Sequence, residues 1–196
     1  PGDLDMFAVM AHIRAHLPEA AVYTNGAGNF ATWLHRFVPL PGWARGQRTQ
    51  LAPTNGSMGY GLPAGVAAAI VSGRPVLTFV GDGDFLMNGQ ELATAVSQGA
   101  KTVVVLVNNG MYGTIRMHQE RNYPARLAGS ALMNPDFAAL AQAYGYGSVR
   151  VQRTQDFAAA WDQAWQSQQG FLIELVIDPE VITPKQMLQE IRVAQQ

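Results

Sequence analysis

The sequence predicts an α/β fold in which a doubly wound, mainly parallel sheet carries helices on both faces. Two runs of apolar and β-branched residues, 75–80 and 102–107, show no polar alternation, which is typical of strands buried on both faces. Asn109 follows Asp82 by 27 positions, and the chain between them has the pattern of one helix and one strand, so a single βαβ unit is predicted there. Strand and helix patterns alternate along the rest of the chain, which indicates the same fold class throughout.

The first half of the chain opens with a helix. Apolar residues at helical spacing run from Leu4 to Leu17 and end at Pro18. A strand at 21–24 then leads into a glycine-rich turn at 25–29. The next predicted elements are a helix at 30–37, a loop at 38–53 with three prolines, a second glycine-rich turn at 54–63 and a helix of small residues at 64–72.

The second half repeats the alternation. Residues 110–130 are polar and predict a long mobile loop or a short helix over the strand ends. Asn134 and Pro135 predict the start of a helix, with the asparagine as its cap and the proline in its first turn. The remaining predicted elements are the strand 75–80, a helix at 88–98, the strand 102–107, a strand at 148–151, a helix at 154–168 and a strand at 171–177. Without a repeat or linker, residues 1–196 are predicted to form one domain.

Composition narrows the function classes. With 196 residues, 48% hydrophobic and 14% charged, the chain can bury a sizeable core. A net charge of −1 without a basic run disfavours nucleic acid and membrane surfaces as partners, so a small molecule or another protein is expected. The absence of cysteine excludes disulfides, thiolate metal sites and cysteine nucleophiles. We expect a cytoplasmic protein, because we find neither a signal-peptide pattern nor a run of about 18 apolar residues.

Polar residues follow the two strands of the central unit. Asp82 comes after the first strand and Asn109 after the second, so both are expected at the carboxyl ends of neighbouring strands, where ligands bind in doubly wound sheets. Their oxygens suit Mg²⁺, which takes one or two protein ligands and completes its shell with phosphate oxygens. Glycine-rich turns before helices are typical of phosphate sites. Taken alone, Asp82 between two glycines is equally typical of an ordinary turn.

The spacing of these residues resembles a known motif. Gly81-Asp82-Gly83, 24 further residues and then Asn108-Asn109 are similar to the thiamine diphosphate motif, and the wider pattern resembles the acetolactate synthase-like family. The resemblance implies that Mg²⁺ is held by the side chains of Asp82 and Asn109 and by the carbonyl of Met111. It also implies that the chain is the C-terminal, diphosphate-binding domain of a larger enzyme that acts on 2-keto acids by decarboxylation or carboligation.

The same resemblance assigns the two glycine-rich turns to the cofactor. In the family, the second turn holds the pyrimidine, so a carbonyl at Gly56 would accept from the cofactor's amino group and Met58 would keep the cofactor bent. The diphosphate would be contacted by the other turn and by the start of the next segment. The residues given this second role are Gly28, Asn29, Phe30, Gly83 and Asp84. The Asp84 carboxylate would repel a diphosphate unless it turned away, while its backbone N–H could still bind.

The resemblance also implies a partner domain. The family's activating glutamate belongs to an N-terminal pyrimidine-binding domain of a neighbouring subunit, and nothing in this chain matches that domain. Glu91 is the nearest glutamate to the motif in sequence, but it lies at a predicted helix start, where a carboxylate has an ordinary structural role. We therefore expect the chain to be inactive alone and to form a homo-oligomer through the apolar helices near 59–72 and 88–98.

Several alternatives stay open on sequence alone. A nucleotide-binding α/β domain is one, although no Gly-x-Gly-x-x-Gly directly follows the first strand and no Walker lysine is present. A non-catalytic assembly module that kept the fold is another. Met58 is also typical of core filler, and Arg116 and His118 of a solvated helix face. His118 occupies the place of a tryptophan that selects the acceptor in acetolactate synthases, so acetolactate synthesis itself is not implied.

Overall fold

A six-stranded parallel sheet forms the centre of the molecule. The computed structural model describes residues 3–39 and 49–194. Every neighbouring pair in the sheet is parallel. The spatial order is β2 (Gln50–Leu51), β1 (Val22–Asn25), β3 (Val76–Gly81), β4 (Val103–Asn108), β6 (Phe171–Val176) and β5 (Gly147–Val151). The predicted α/β fold with a mainly parallel sheet is confirmed.

Helices cover both faces of this sheet, as predicted. One face packs against α1 (Met6–His16), α2 (Ala31–Phe37) and α8 (Phe157–Gln166). The other packs against α3 (Gly61–Ser72), α4 (Asp82–Asn88), α5 (Glu91–Ser97) and α7 (Phe137–Ala143). Two further helices, α6 (Gly113–Asn122) and α9 (Leu188–Val193), contact each other, and a hairpin of β7 (Val181–Thr183) and β8 (Gln186–Met187) precedes α9.

The central strands are buried on both faces, which explains why they lack polar alternation. Leu77 and Phe79 of β3 pack in the core beneath α1, α2 and α8, whereas Val80 packs in the opposite core. In β4, Val105 and Leu106 divide between the two cores in the same way. Successive side chains of a strand point to opposite faces, so these strands are mostly apolar, and the buried Thr78 hydroxyl is paired with that of Thr24.

Small residues bring α3 unusually close to the sheet. A Cβ atom at Gly65 would lie 2.1 Å from Oγ1 of Thr78, and one at Gly61 would lie 2.6 Å from the backbone nitrogen of Gly26. The Thr24 hydroxyl, which is buried in β1, donates to the Gly61 carbonyl at 2.8 Å. The start of α3 therefore lies against the carboxyl end of β1, and the glycine-rich turn that precedes α3 is brought to the same edge of the sheet.

Two helix starts differ from the prediction. α3 begins at Gly61 instead of residue 64, because Pro63 is tolerated in the first turn, where its missing N–H has no intrahelical partner to lose. Asp82 and Gly83, predicted as a turn, begin α4. The sequence pattern missed α4 because glycines there indicate a turn, and the predicted helix 88–98 corresponds to α5 alone.

The predicted cap of α7 is wrong. The helix begins at Phe137, and its cap is Asp136, whose carboxylate accepts from the Ala139 N–H at 2.9 Å. Asn134 and Pro135 therefore lie before the helix, and the asparagine side chain is used elsewhere. Asn and Asp are both good caps, so sequence alone could not decide between two candidates spaced by two residues.

Other segments contain more regular structure than predicted. Of the two alternatives for residues 110–130, the helix is confirmed as α6. The predicted loop at 38–53 contains the short edge strand β2, while residues 40–48 lie outside the described part of the chain. The elements β7, β8 and α9 follow the last predicted strand and were not predicted. Within the described residues, no helix is both long and apolar enough to span a membrane.

A buried carboxylate joins α6 to α9. Glu120 is fully buried and pairs with Arg116 one turn earlier and with Arg192 of α9, whose Nη2 lies 3.0 Å from Oε1. The hydrogen bond from Arg192 lowers the pKa of Glu120 below its ordinary value, against the effect of burial. Arg116 is also buried, so the interpretation of this residue as part of a solvated face is wrong.

We predict that Glu120→Gln lowers the free energy of unfolding by about 3 kcal/mol at pH 7, because the buried Arg116 guanidinium loses its carboxylate. The folded-state pKa of Glu120 is lowered, so this stabilisation is present above the unfolded value of about 4.3 and is lost as the pH falls through the folded value. Urea unfolding of both proteins at pH 7 and pH 3 measures this stabilisation. The difference in the free energy of unfolding between Glu120→Gln and wild type should be smaller at pH 3.

Asp156→Asn is the matched control, because it removes an exposed ion pair with Arg153. This variant should lose no more than about 1 kcal/mol. An equal loss for Glu120→Gln at both pH values would contradict the electrostatic explanation.

Candidate functional site

The largest concentration of predicted site residues surrounds a cleft at the carboxyl ends of β1, β3 and β4. Its empty volume is about 590 Å³. The chain crosses from β1 to β2 on one side and continues with β3 on the other, so the cleft lies where the strand order reverses. Such a switch point is the usual ligand site of a doubly wound sheet. The walls include residues 27–30 after β1, residues 81–84 at the end of β3, Asn109 and residues 111–115 after β4, Met58 and three apolar residues of the C-terminal segment.

Asp82 is the central acidic group of the cleft. The residue is 3% exposed, and its carboxylate accepts three hydrogen bonds. Oδ1 accepts from the N–H of Gly83 at 2.9 Å, while Oδ2 accepts from the N–H of Gly110 at 2.9 Å and from the amide of Asn134 at 2.8 Å. Burial raises the pKa of Asp82, and the hydrogen bonds from Asn134, Gly83 and Gly110 oppose that shift.

Asn109 and Met111 lie in the loop that contacts this carboxylate. The Gly110 N–H bound to Asp82 sits between them, so the two strand ends are in direct hydrogen-bond contact. Oδ1 of Asn109 accepts from the Met111 N–H at 3.2 Å, which leaves one of its two lone pairs free. Both residues line the cleft. Met111 is also held from outside by an antiparallel bridge to Ala131.

The oxygen donors suit a hard cation. The described residues contain no group of three or more His, Cys, Asp or Glu arranged for a metal. The donors predicted from the sequence are the Asp82 carboxylate, the Asn109 amide and the Met111 backbone carbonyl, which are too few for an octahedral ion without ligands from a bound phosphate. The chemistry of this donor set therefore fits a Mg²⁺-diphosphate group.

Asp84 joins the two glycine-rich turns. It is 2% exposed, and its Oδ1 accepts from the N–H of Ala27 at 3.1 Å and from the N–H of Gly59 at 2.9 Å. A Cβ atom at Gly26 would lie 2.0 Å from Oδ2, so only glycine leaves room for the carboxylate there. Burial raises the pKa of Asp84 to about 6, against the hydrogen bonds from Gly59 and Ala27. The side chain thus binds the turns themselves.

The first glycine-rich turn packs against α6. The N–H of Asn29 donates to the Thr114 hydroxyl at 3.1 Å, and that hydroxyl donates to the Asn29 side chain at 3.1 Å. The Phe30 ring lies across Gly28 and Gly81, where added Cβ atoms would meet it at 2.8 and 2.6 Å. Gly28, Asn29 and Phe30 all line the cleft.

The other predicted cofactor residues divide between the cleft and its surroundings. Gly83 lines the cleft beneath the ring of Tyr112, which would lie 2.6 Å from a Cβ atom there. Met58 lines it too and is 37% exposed. Gly56 does not line the cleft; its φ is +72°, and a Cβ atom at this position would meet no described atom within 4 Å. Glu91 is likewise absent from the lining.

Sequence reasoning missed several residues of the cleft. Tyr112 and Thr114 line the cleft and follow the Asn108-Asn109 motif closely in the sequence. Their closeness to the motif was the one sequence feature that could have indicated them. Ile177, Val181 and Ile182 form an apolar wall, and no sequence pattern pointed to them as site residues. Asn134 was predicted as a helix cap, yet its amide binds Asp82.

Comparison with known proteins agrees with this geometry. Residues 26–175 match the family described as "Thiamine pyrophosphate enzyme, C-terminal TPP binding domain". The chain belongs to this family. Thiamine pyrophosphate is thiamine diphosphate under another name, so the family assignment supports this cofactor, and the resemblance found in the sequence is confirmed.

Curated relatives in the family are acetolactate synthases. The chain is 34% identical over 147 residues to the acetolactate synthase large subunit of Parasynechococcus marenigrum, covering 73% of this chain and 23% of the relative. The probable acetolactate synthase large subunit of Methanocaldococcus jannaschii is 30% identical over 183 residues, 92% of this chain and 30% of the relative. Acetolactate synthase isozyme 2 large subunit of Escherichia coli is 32% identical over 165 residues, with 82% and 29% covered. The matched part thus spans less than a third of each relative.

We predict that Asp84→Ala loosens both glycine-rich turns. The change leaves the N–H groups of Ala27 and Gly59 without an acceptor, at a cost of about 1–3 kcal/mol for each group. Hydrogen exchange at these two amides should accelerate by about 5- to 150-fold, the factor that corresponds to about 1–3 kcal/mol. Asp84→Asn is the control, because its carbonyl can still accept both bonds. Unchanged exchange at both amides in Asp84→Ala would contradict the bridging role.

Proposed function

We propose that this chain binds thiamine diphosphate through Mg²⁺ and serves an enzyme that decarboxylates or joins 2-keto acids. One observation carries the proposal: the Asp82 carboxylate meets the Asn109 loop at the ends of adjacent strands, inside a cleft walled by glycine-rich turns. Membership of the thiamine pyrophosphate enzyme family supports the cofactor, and acetolactate synthase relatives support the 2-keto acid class.

The ion would be held by Asp82, Asn109 and Met111. A carboxylate offers about four lone-pair positions, two on each oxygen. Oδ2 of Asp82 already accepts two hydrogen bonds, whereas Oδ1 accepts one, so Oδ1 has the vacant position that a cation needs. The free lone pair of Asn109 Oδ1 and the Met111 carbonyl supply the other protein ligands in this proposal, and diphosphate oxygens supply the rest.

The turn after β1 and the start of α4 would contact the diphosphate. Gly28 and Gly83 leave open backbone where side chains would otherwise stand, and Asn29 and Phe30 line the same wall. The Asp84 carboxylate does not compete with the diphosphate, because its accepting oxygen is turned towards Ala27 and Gly59. Its backbone N–H remains assigned to the cofactor in this proposal.

The remaining residues would orient the cofactor and exclude water. Thiamine diphosphate supplies a carbanion at its thiazolium ring when bound, and the protein's task is orientation and electrostatics. Met58 is placed at the cleft by the turn before α3, as a wedge against the cofactor requires, and Gly56 belongs to the same turn. Ile177, Val181 and Ile182 provide an apolar wall that keeps water from the reacting centre.

The proton chemistry would need a group from a partner. The acidic side chains that line the cleft are Asp82 and Asp84, and both are committed to other contacts. We therefore propose that the activating glutamate comes from a pyrimidine-binding domain in a neighbouring subunit.

Apolar side chains on the outer surface of α3 to α5, including Ile70 at 48%, Val71 at 86% and Met87 at 45% exposure, support a homo-oligomer through this face. A cytoplasmic location stays a prediction.

We predict that Asp82→Ala in the intact protein lowers the affinity for thiamine diphosphate in the presence of Mg²⁺ by at least about 100-fold, since a direct ligand should matter no less than its supporting residues. Isothermal titration calorimetry measures the affinity. Asp162→Ala, an exposed aspartate on α8, is the matched control and should bind as wild type does.

Parallel titrations test the alternatives. Magnesium ATP and NAD should give no heat of binding. A clear preference of the wild type for either nucleotide would favour the nucleotide-binding alternative, and wild-type cofactor affinity in Asp82→Ala would contradict the metal assignment. Binding of the cofactor without turnover of any 2-keto acid by the intact protein would favour the assembly module.

A further inference from the structure

We infer that Asn134 is a positioning residue for the metal ligand Asp82, and that a partly buried chain of hydrogen bonds running to Glu174 holds Asn134 in place. The inference rests on the proposed function, because it concerns how the Asp82 carboxylate is presented to an ion. Asn134 lies 52 residues beyond Asp82 in the sequence, outside the segments that resemble the family's motif.

Asn134 determines which oxygen of Asp82 stays available. Its Nδ2 lies 2.8 Å from Oδ2 of Asp82, and the Gly110 N–H occupies the second acceptor position of the same oxygen. Among the contacts of the described residues, the vacant acceptor position of the carboxylate is therefore on Oδ1. Without the Asn134 amide, Oδ2 would regain a lone pair, and the carboxylate could rotate or bind water through either oxygen.

The orientation of the Asn134 amide is itself fixed. Nδ2 donates to Asp82 and also to Oδ1 of Asn108 at 2.9 Å, so both hydrogens of the amide are used. The reversed amide would place its oxygen against two acceptor oxygens, which excludes that orientation. The cost of the arrangement is visible in the structure: the Asn134 carbonyl oxygen is buried and has no partner among the described residues. A buried oxygen left without a partner indicates that the amide is placed for its two donated bonds.

Asn108 and Glu174 complete the chain. Nδ2 of Asn108 donates to Oε1 of Glu174 at 2.7 Å, which fixes the Asn108 amide so that its oxygen faces Asn134. Glu174 is 1% exposed at the centre of β6 and is neutralised by Arg150, whose Nε lies 2.7 Å from Oε2. The sequence favoured Asn108 as a turn residue that supports the metal ligands over a direct ligand, and its position between Glu174 and Asn134 is consistent with such support.

The hydrogen-bond donors to Asp82 should affect its affinity for a metal ion. Supporting hydrogen bonds to a metal ligand fix its orientation before the ion arrives, and their loss commonly weakens metal binding by about 10- to 100-fold. Of the three donors to Asp82, two are backbone N–H groups, which only proline would remove, and its ring would also constrain the backbone. Asn134 is thus the one donor that mutation can test.

The test uses the intact protein with Mn²⁺ as the probe, because electron paramagnetic resonance reports free Mn²⁺ directly and does not depend on turnover. At saturating thiamine diphosphate, Asn134→Ala should raise the Mn²⁺ concentration for half-saturation by about 10- to 100-fold. Asn134→Leu, which keeps the number and branching of side-chain heavy atoms and removes the donor, should give the same shift. Saturating Mn²⁺ should restore the wild-type amount of bound cofactor in both variants.

Asp136→Ala is the matched control, because it disturbs the same segment without touching Asp82. It removes the cap of α7 and an exposed ion pair with Arg150, while the hydrogen bond from Arg150 to Glu174 is left in place. Its Mn²⁺ concentration for half-saturation should stay within about threefold of the wild-type value, because Asp136 donates no hydrogen bond to Asp82. A threefold change is well below the tenfold change that corresponds to about 1.4 kcal/mol of binding free energy.

The possible outcomes distinguish a failure of the positioning role from a failure of the proposed function. Equal shifts in Asn134→Ala and Asp136→Ala, or none in either Asn134 variant, would overturn the positioning role. A cofactor loss that saturating Mn²⁺ does not restore would also overturn it, because a general loosening of the cleft would then be the cause. Failure of the wild type to take up Mn²⁺ with thiamine diphosphate would contradict the proposed function itself.

Discussion

The whole candidate site depends on one hydrogen-bonded contact, between the Asp82 carboxylate at the end of β3 and the Gly110 N–H after β4. The parallel pairing of these strands, which runs from Leu77 opposite Val103 to Gly81 opposite Val107, brings both ends to the same edge of the sheet. Because both strands are buried on both faces, a one-residue slip would move each side chain into the opposite core, so the packing of the two cores fixes the register. The core thus provides the rigidity that the site needs, and the loops at the edge provide its chemistry.

Two buried carboxylates at this edge have different roles because their surroundings differ. Asp82 accepts three hydrogen bonds from the described residues, one on Oδ1 and two on Oδ2, whereas one oxygen of Asp84 accepts from the N–H groups of the two glycine-rich turns. Burial raises the pKa of both groups, and in each case the hydrogen-bond donors oppose that shift. The same residue type, two positions apart, can therefore present charge to a ligand in one case and fasten the backbone that surrounds it in the other.

The sequence predicted the site residues at the strand ends better than the residues that hold them in place. Asp82, Asn109, Met111 and the first glycine-rich turn all line one cleft, as strand ends and spacing indicated, although their roles stay proposals. Asn134 shows why the rest was missed. Before a helix an asparagine is most often a cap, and only the folded chain reveals that Asp136 caps α7 while Asn134 reaches a residue 52 positions away. Contacts between residues so distant in sequence leave no periodic pattern.

By itself the sequence determined the α/β class, the succession of the main strands along the chain and the spacing between Asp82 and Asn109 at neighbouring strand ends. These features follow from apolar runs and short glycine-rich turns, which are local properties of the chain. Only the tertiary structure decided that the Asp84 side chain joins the two turns, that α9 is attached to α6 through Glu120 and that Asn134 and Asn108 connect Asp82 to Glu174. The physical reason is that hydrogen bonds between buried polar groups depend on distances set by packing, and packing is a property of the whole fold.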